Sequence, residues 1–359
     1  MEDMEVKRAF WKDKKVFITG HTGFKGGWLS LWLADMGAEV YGYALQPPTE
    51  PNFFTVNKLC SKICGSKIFD IRDADSLQKA IQSVQPEIVF HLAAQPLVRY
   101  SYVAPVDTYA VNVIGTVNLL EAVRKVTSVK AVVNVTTDKC YDNREWIWPY
   151  REIDALGGFD PYSSSKACSE IVTAAYRSSF LDPSGIYVAT ARAGNVIGGG
   201  DWAKDRLIPD FLRSIDNGNT LTIRSPQAMR PWQHVLEPLS GYLMLAQALY
   251  DNGPKYASAW NFGPDEADMR PVQWIVDYLC SNVPDASWQC FESRQLHEAN
   301  ILKLDSSKTK SQLGWRPRWN LQKALGMTLA WHHVWRKGGD LARTSLEQIE
   351  CYESDKYQL

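Results

Sequence analysis

The feature that most restricts how this chain can fold is a short apolar run leading directly into a glycine-rich turn and then a helix. Val16-Phe17-Ile18-Thr19 reads as a buried strand, and Gly20-His21-Thr22-Gly23-Phe24-Lys25-Gly26 as the turn. Trp28, Leu29, Leu31, Trp32, Leu33 and Met36 then recur at helical spacing until Gly37 stops the helix. Glycines in such a turn allow a sharp reversal and let backbone N–H groups approach a pyrophosphate at the helix N-terminus. The spacing is G-x-x-G-x-x-G, which an ordinary strand–helix turn can also show, so the rest of the chain has to decide.

It decides by alternation. Strands are predicted at Val40–Tyr43, Lys67–Asp70, Glu87–Leu92, Ala131–Thr136 and Ile186–Arg192. Helices are predicted over Ala74–Val84, Thr108–Val126 and Pro161–Phe180, and Gln46–Pro51 is too proline-rich for regular structure. Near-continuously apolar strands separated by helices indicate a parallel sheet covered on both faces, with binding sites at the carboxyl ends of the strands. The predicted fold is therefore α/β, a Rossmann-type doubly wound parallel sheet. After Ala193 the rhythm is lost, and Gly194–Asp205 carries Gly194, Gly198, Gly199 and Gly200. This suggests a dinucleotide-binding domain over residues 1–192 and a smaller mixed α/β substrate domain over 193–359, the boundary approximate and the chain re-crossing it.

Composition narrows the function. The chain holds 39 Lys and Arg against 40 Asp and Glu, a net charge of −1. That balance lacks the basic footprint of a nucleic-acid binder or of a protein held to anionic lipid. The 7 Cys are scattered with no CxxC pair, so neither a disulfide framework nor a metal site is expected, and a reducing cytoplasm fits. The charged N-terminal stretch has no apolar core of a signal peptide, and no apolar run reaches the roughly 18 residues needed to span a bilayer.

Tyr162 and Lys166 lie on one face at the start of the helix predicted from Pro161. A phenol with a pKa of ~10 is a poor base at neutral pH. A nearby ammonium favours phenolate, so the pair could take a proton from a hydroxyl. Tyr-x-x-x-Lys is common on helix surfaces; here its weight comes from following a Gly-rich first turn and Thr136-Thr137-Asp138-Lys139 after the fifth strand. The second strand ends Tyr43-Ala44-Leu45-Gln46 with neither acid nor Arg, so that position does not choose between NAD and NADP. Asp70 could accept a hydrogen bond from an adenosine or serve as a turn or capping residue.

Taken with His91-Leu92-Ala93-Ala94, Asn112, Arg192-Ala193-Gly194-Asn195-Val196 and Leu313-Gly314-Trp315-Arg316-Pro317, this order resembles the extended short-chain dehydrogenase/reductase family over nearly the whole chain. Gln95-Pro96-Leu97-Val98-Arg99, Asn195–Trp202 and Arg230–Val235 make it most similar to the family's nucleotide-sugar 4,6-dehydratases that act on CDP-glucose. The resemblance implies conversion of CDP-D-glucose to CDP-4-dehydro-6-deoxy-D-glucose plus water, with NAD used and regenerated, toward deoxy sugars of bacterial surface polysaccharide.

The same resemblance implies roles. Tyr162 would take the proton of the C4 hydroxyl, with Thr137 bonded to the same oxygen. Lys166 would lower the phenol's pKa and hold the nicotinamide ribose, and Asp138 would be the acid at the C6 hydroxyl. Gly20, His21, Gly23, Phe24, Gly26, Asp70, Ile71, Ala93, Ala94 and Asn112 would meet NAD together with Tyr162 and Lys166. Gln95, Arg99, Asn195, Arg206 and Arg230 would meet the nucleotide sugar, guanidinium forks matching diphosphate oxygens. His297 and Glu298 are weaker candidates, and no metal is implied.

One departure stands out: dTDP-glucose and GDP-mannose dehydratases carry Asp-Glu after the Thr, whereas this chain has Asp138-Lys139. A Lys at its usual pKa of ~10.4 is protonated. Lys139 is then either a base depressed by its surroundings or a cation that tunes Asp138 while another group takes the C5 proton. A homodimer formed through the helices that hold Asn112 and Tyr162 is implied, with a tetramer as the other state. A C4 epimerase on the same scaffold, an NADP-linked reductase and an inactive NAD-binding scaffold remain the rival readings.

Overall fold

The structure is a computed structural model and describes residues 6–291 and 301–355. His297 and Glu298 lie outside the described residues. The alternation read from the sequence resolves into a 7-stranded sheet. Its strands are β1 (Lys15–Thr19), β2 (Glu39–Ala44), β3 (Gly65–Ile68), β4 (Ile88–His91), β5 (Ala131–Val135), β6 (Tyr187–Ala193) and β7 (Ala259–Phe262). Every pairing is parallel, and the strands stand in the spatial order 7-6-5-4-1-2-3. Every side chain of β4 and β5 is buried, which is why those runs are apolar without alternation. The Rossmann-type fold expected from the sequence is the fold observed.

Helices α1 (Phe24–Asp35), α2 (Ala74–Val84), α3 (Gly115–Val123) and α4 (Pro161–Tyr176) cover the sheet. The helix predicted over 108–126 starts earlier, at Pro105, and carries a π-helical turn at Ala110–Ile114 before α3. Strand order reverses between β1 and β4, so a cleft opens above their carboxyl ends.

Two glycines make that end of β1 possible. A Cβ on Gly26 would stand 2.1 Å from the Gly20 carbonyl oxygen. Gly20, at φ +80°, lies against the Leu92–Ala93 backbone, where a Cβ would meet Ala93 N at 2.7 Å. Gly26→Ala is therefore expected to cost about 1–3 kcal/mol by overpacking. A lowered Tm, with weaker cofactor binding by titration, is the measurement.

Beyond β6 a second core forms from Ile197, Ile208, Phe211, Leu221, Trp232, Ile275, Leu279 and Leu325. It gathers α5 (Leu207–Asp216), a helix at Val272–Asn282 and one at Leu321–Arg336. Between them the chain returns to the sheet: α6 (Leu236–Tyr256) packs on β5 and β6, and β7 pairs with β6. Residues from the C-terminal half thus complete the first layer. Among the described residues, no helix is long and apolar enough to cross a membrane.

Candidate active site

The Gly-rich turn delivers α1 with Gly23 as its N-cap and no side-chain cap, so the first-turn N–H groups face the cleft without a protein side chain to take them. A Cβ on Gly23 would meet only the Gly20 carbonyl oxygen, at 3.4 Å. An open, uncapped helix N-terminus beside closely packed glycines fits a dinucleotide diphosphate. Ala93 borders Gly20, and the Phe24 ring lies against Gly198. Ile71 is buried, and a Cβ on Gly115 would press on it.

His21 sits beneath the turn in space that Gly42 leaves free; a Cβ there would stand 2.2 Å from the imidazole. Its Nε2 is 2.7 Å from the Ser66 hydroxyl, and burial pulls its pKa down to about 4, so the ring is neutral. Asp70 accepts from Arg72 N at 2.8 Å and Arg72 Nε at 3.0 Å, which holds its carboxyl below the usual range. Arg72 also reaches Asp107 at 2.6 Å. The cap of α2 falls to Asp73, which accepts from Ser76 N, so Asp70 is a turn residue rather than a helix cap.

The reacting groups converge where β5 and α4 meet. Thr137 opens a short 3-10 turn at Asp138–Cys140, and its hydroxyl donates to Asp138 Oδ1 at 3.0 Å. Asp138 Oδ2 is buried with no hydrogen-bond partner among the described residues and faces Gly194, where a Cβ would stand 3.1 Å away. Burial pushes this carboxyl up, against the pull of Lys139, Arg230 and Lys25. Helix α4 begins with Pro161 and is capped by Asp160, which accepts from Ser163 N at 2.9 Å and Ser163 Oγ at 2.6 Å. That start sets Tyr162 beside Thr137.

The expected origin of the phenol's acidity is not what the structure shows. Burial pushes Tyr162 up to about 12, outweighing the Thr137 hydroxyl beside it and the positive charge of Arg206. Lys166 donates to the Val135 carbonyl at 3.2 Å, and burial pulls its own pKa down to about 8. The reason for the correction is desolvation: both groups are buried, and each is driven toward its neutral form. The cation that reaches the phenol comes from the second lobe, at Arg206.

Beneath these groups lies a buried ion pair. Arg192 Nη2 meets Glu170 Oε2 at 2.8 Å, and Glu170 also accepts from the hydroxyls of Thr136 and Thr190. Arg192 continues to the Tyr141 hydroxyl at 2.8 Å, and Tyr141 to Asn261 on β7 at 2.7 Å. A buried pair of this kind holds the residue before Thr137 in place, and removing one partner would leave an uncompensated charge.

Other predicted residues are placed differently. Gln95 turns inward: its amide donates to Thr108 Oγ1 at 2.9 Å and its carbonyl accepts from Leu97 N at 2.6 Å, which spends it on its own loop. Asn112 bonds to Gln95 N, Gln95 O and Ser165 Oγ, and so is a brace between β4's loop and α4. Both corrections have one cause, since a buried amide must satisfy its polar atoms locally. Ala94 is half-buried just after β4. Asn195 joins the second lobe through its carbonyl to Gln233 N at 3.0 Å, and its side-chain amide has no hydrogen bond among the described residues. Arg206 pairs with Asp201 at 2.9 Å, Arg99 lies 3.4 Å from Asp205, and buried Arg230 donates to the Met229 carbonyl at 2.9 Å.

Lys25 was missed by treating the turn as backbone alone. Its ammonium has no hydrogen-bond or ion-pair partner among the described residues, and burial, with Arg206 and Lys166 nearby, pulls it down to about 8. The signal was available: a cation in the first turn opposes the helix dipole and asks for an anion. Lys25, Lys139, Lys166, Arg206 and Arg230 act on a region where Asp138, Asp201, Asp160 and Glu170 also act, and Glu170 is paired with Arg192.

Residues 17–259 match the model of the GDP-mannose 4,6 dehydratase family. A CDP-glucose 4,6-dehydratase of Salmonella typhimurium is 54% identical over 97% of this chain and 99% of its own length. A dTDP-glucose 4,6-dehydratase of Xanthomonas campestris is 26% identical over 89% of this chain and 94% of its own. Among solved structures, dTDP-glucose 4,6-dehydratase from Bacillus anthracis in complex with NAD matches with a TM-score of 0.73 at 20% identity, covering 92% of this chain and 99% of that one. UDP-glucose 4-epimerase from Thermotoga maritima matches at 0.75 and 20% identity, covering 90% and 99%. At those identities the two structures speak for the fold.

Proposed function

The chain belongs to the GDP-mannose 4,6 dehydratase family, and from that premise we propose that it is an NAD-dependent CDP-glucose 4,6-dehydratase, converting CDP-D-glucose to CDP-4-dehydro-6-deoxy-D-glucose and water. The observation that carries the reading is the juxtaposition of Tyr162 and Thr137 with the unpartnered, buried Oδ2 of Asp138. An epimerase needs a base at the C4 hydroxyl but no acid at C6; this cleft offers both.

Gly20, Gly23, Gly26 and the N-terminus of α1 hold NAD, with Ala93, Tyr162 and Lys166 beside it. When bound, NAD would supply a cationic ring able to accept a hydride and give it back. Tyr162 accepts the proton of the C4 hydroxyl, and Thr137 fixes that oxygen. The resulting ketone acidifies the hydrogen at C5. Asp138, pushed toward its neutral form by burial, then gives its Oδ2 proton to the C6 oxygen as water takes the C5 proton, the C5–C6 double bond forms and the C6–O bond breaks to release water. The positive charge of Lys139 draws the Asp138 carboxyl down, which supports a tuning role for that lysine.

A panel of CDP-, dTDP-, GDP- and UDP-glucose with NAD tests the reading, scored by the alkaline absorbance of a 4-keto-6-deoxy sugar. CDP-glucose is expected to give a kcat/KM at least tenfold above the others; recovery of unchanged sugar or its C4 epimer overturns the dehydratase reading. The reading includes a cytoplasmic homodimer. Val103, Val106 and Ile114 lie open to solvent beside α3, as do Ile171 on α4 and Phe180 just beyond it, an apolar face that a second copy would cover. Sedimentation separates dimer from tetramer.

A further inference from the structure

Dehydration of the kind proposed above leaves two of the protein's own groups in the wrong protonation state after every turnover. Tyr162 takes the proton of the C4 hydroxyl, and because the product is a ketone that proton does not go back to the sugar. Asp138 gives a proton to the leaving oxygen. It does not regain one from the sugar either, since C5 recovers the proton it lost and the hydrogen of C4 ends at C6. One proton therefore has to pass from Tyr162 to Asp138 before the next cycle. Tyr162 is 8% exposed and Asp138 2%, so the path runs through the protein's interior. Thr137 serves the other oxygen: its hydroxyl donates to Oδ1 at 3.0 Å and accepts from Lys139 N at 3.3 Å, whereas the acid works from Oδ2.

Around Oδ2 the fold gathers buried polar atoms that have no hydrogen-bond partner among the described residues. They are Oδ2 itself, the Tyr242 hydroxyl and Gln233 Oε1. All three belong to one corner of the sheet. Oδ2 lies against Gly194, and Phe262 of β7 is paired with Ala193, the residue before it. The Tyr242 ring packs edge-on against the Phe262 ring, with centroids 5.5 Å apart. Gln233 is tied to the same corner twice, its N to the Asn195 carbonyl at 3.0 Å and its amide to the Phe262 carbonyl at 2.8 Å. Tyr242 comes from α6, is fully buried, and the charges that act on it are those of Asp138 and Tyr162. Buried polar atoms are satisfied by protein or by ordered water, and a water bonds to roughly two to four of them. Among these three groups an amide oxygen only accepts, whereas a phenol can accept one proton while giving up another.

We propose that the Tyr242 hydroxyl, bridged by buried water, relays the proton from Tyr162 back to Oδ2 of Asp138. Water takes the Tyr162 proton and passes one of its own to the Tyr242 oxygen, while the Tyr242 proton moves through a second water to Oδ2. Each relaying oxygen gains one proton and loses one, and the negative charge moves from Asp138 to Tyr162. A cation waits at either end, Arg206 near Tyr162 and Lys139, Arg230 and Lys25 around Asp138. An oxidation that is simply reversed returns the proton to the C4 oxygen and needs no relay; only a completed elimination does. The proposal rests on the dehydratase reading and gives a task to α6, a helix that holds none of the reacting groups.

The test uses the full chain loaded with NAD and follows CDP-glucose both by rapid quench through the first turnover and in the steady state. Tyr242→Phe is expected to leave the first turnover within about threefold of wild type and to lower kcat roughly tenfold or more, so that product forms as a burst of one per site. The Kd for NAD and the exchange of C5 hydrogen in heavy water should not change. A kcat within about threefold of wild type would mean a dry, idle hydroxyl, whose removal costs nothing, and overturns the proposal. Equal slowing of the first and later turnovers overturns it too, because a merely structural role acts on both alike. Wild-type protein that binds NAD yet forms no 4-keto-6-deoxy sugar from CDP-glucose would instead overturn the dehydratase reading, and the relay with it.

Discussion

Tyr162→Phe is expected to lower kcat by roughly 10²–10⁴-fold, the range that a positioned acid or base contributes, while the affinities for NAD and CDP-glucose stay within about threefold. Only one oxygen is removed from a buried ring whose place is set by Asp160 and Pro161 at the start of α4, so the fold has little reason to change. What is lost is the group that takes the C4 proton, and without it no ketone forms and the hydrogen at C5 never becomes acidic. The variant should therefore also take up no deuterium at C5 from heavy water. Steady-state kinetics, calorimetric titration of both ligands and mass analysis of recovered CDP-glucose give the three readings. A variant that kept more than a tenth of the wild-type rate would show that some other group accepts that proton. The structure makes the demand on Tyr162 plain: burial holds its phenol at about 12 even against the pull of Arg206 from the second lobe, so its useful acidity has to arrive with the ligands.

That last point marks where reading residues in order reaches its limit. The sheet was legible because its central strands are buried on both faces and helices alternate with the strands, both properties of local pattern. Thr137 and Asp138 follow the carboxyl end of β5 and Tyr162 opens α4, an order of motifs whose resemblance to the family made them legible. The return of the chain was anticipated only in general, since nothing in the run 236–262 states that it completes the first sheet rather than the second lobe. Charge was the least legible quantity. Helical spacing assigns the phenol's acidity to Lys166, yet spacing says nothing about desolvation, and Lys166 turns to a β5 carbonyl. Gln95 and Asn112 looked like ligand contacts by position, but their amides are consumed in bracing the loop after β4.

Asp138→Asn separates the second half of the reaction from the first. Asparagine keeps the shape and can still accept the Thr137 hydroxyl at Oδ1, so the cluster should hold together. An amide, however, has no proton to surrender at the position of Oδ2, and kcat for product formation is expected to fall roughly 10²-fold or more. Oxidation at C4 does not use this group, so the C5 hydrogen should still become acidic and exchange. CDP-glucose recovered from heavy water should then carry deuterium at C5 although no water has been lost, the reverse of the expectation for Tyr162→Phe. Burial pushes the Asp138 carboxyl toward its protonated form, and Lys139, Arg230 and Lys25 draw it back toward ionisation, opposing pulls that suit a group that must hold a proton and release it. Loss of C5 exchange in Asp138→Asn would place Asp138 before the ketone rather than after it, and the cleft would then have to find its C6 acid elsewhere. With exchange retained and elimination gone, the carboxyl facing Gly194 is the point at which a scaffold shared with epimerases is turned to dehydration.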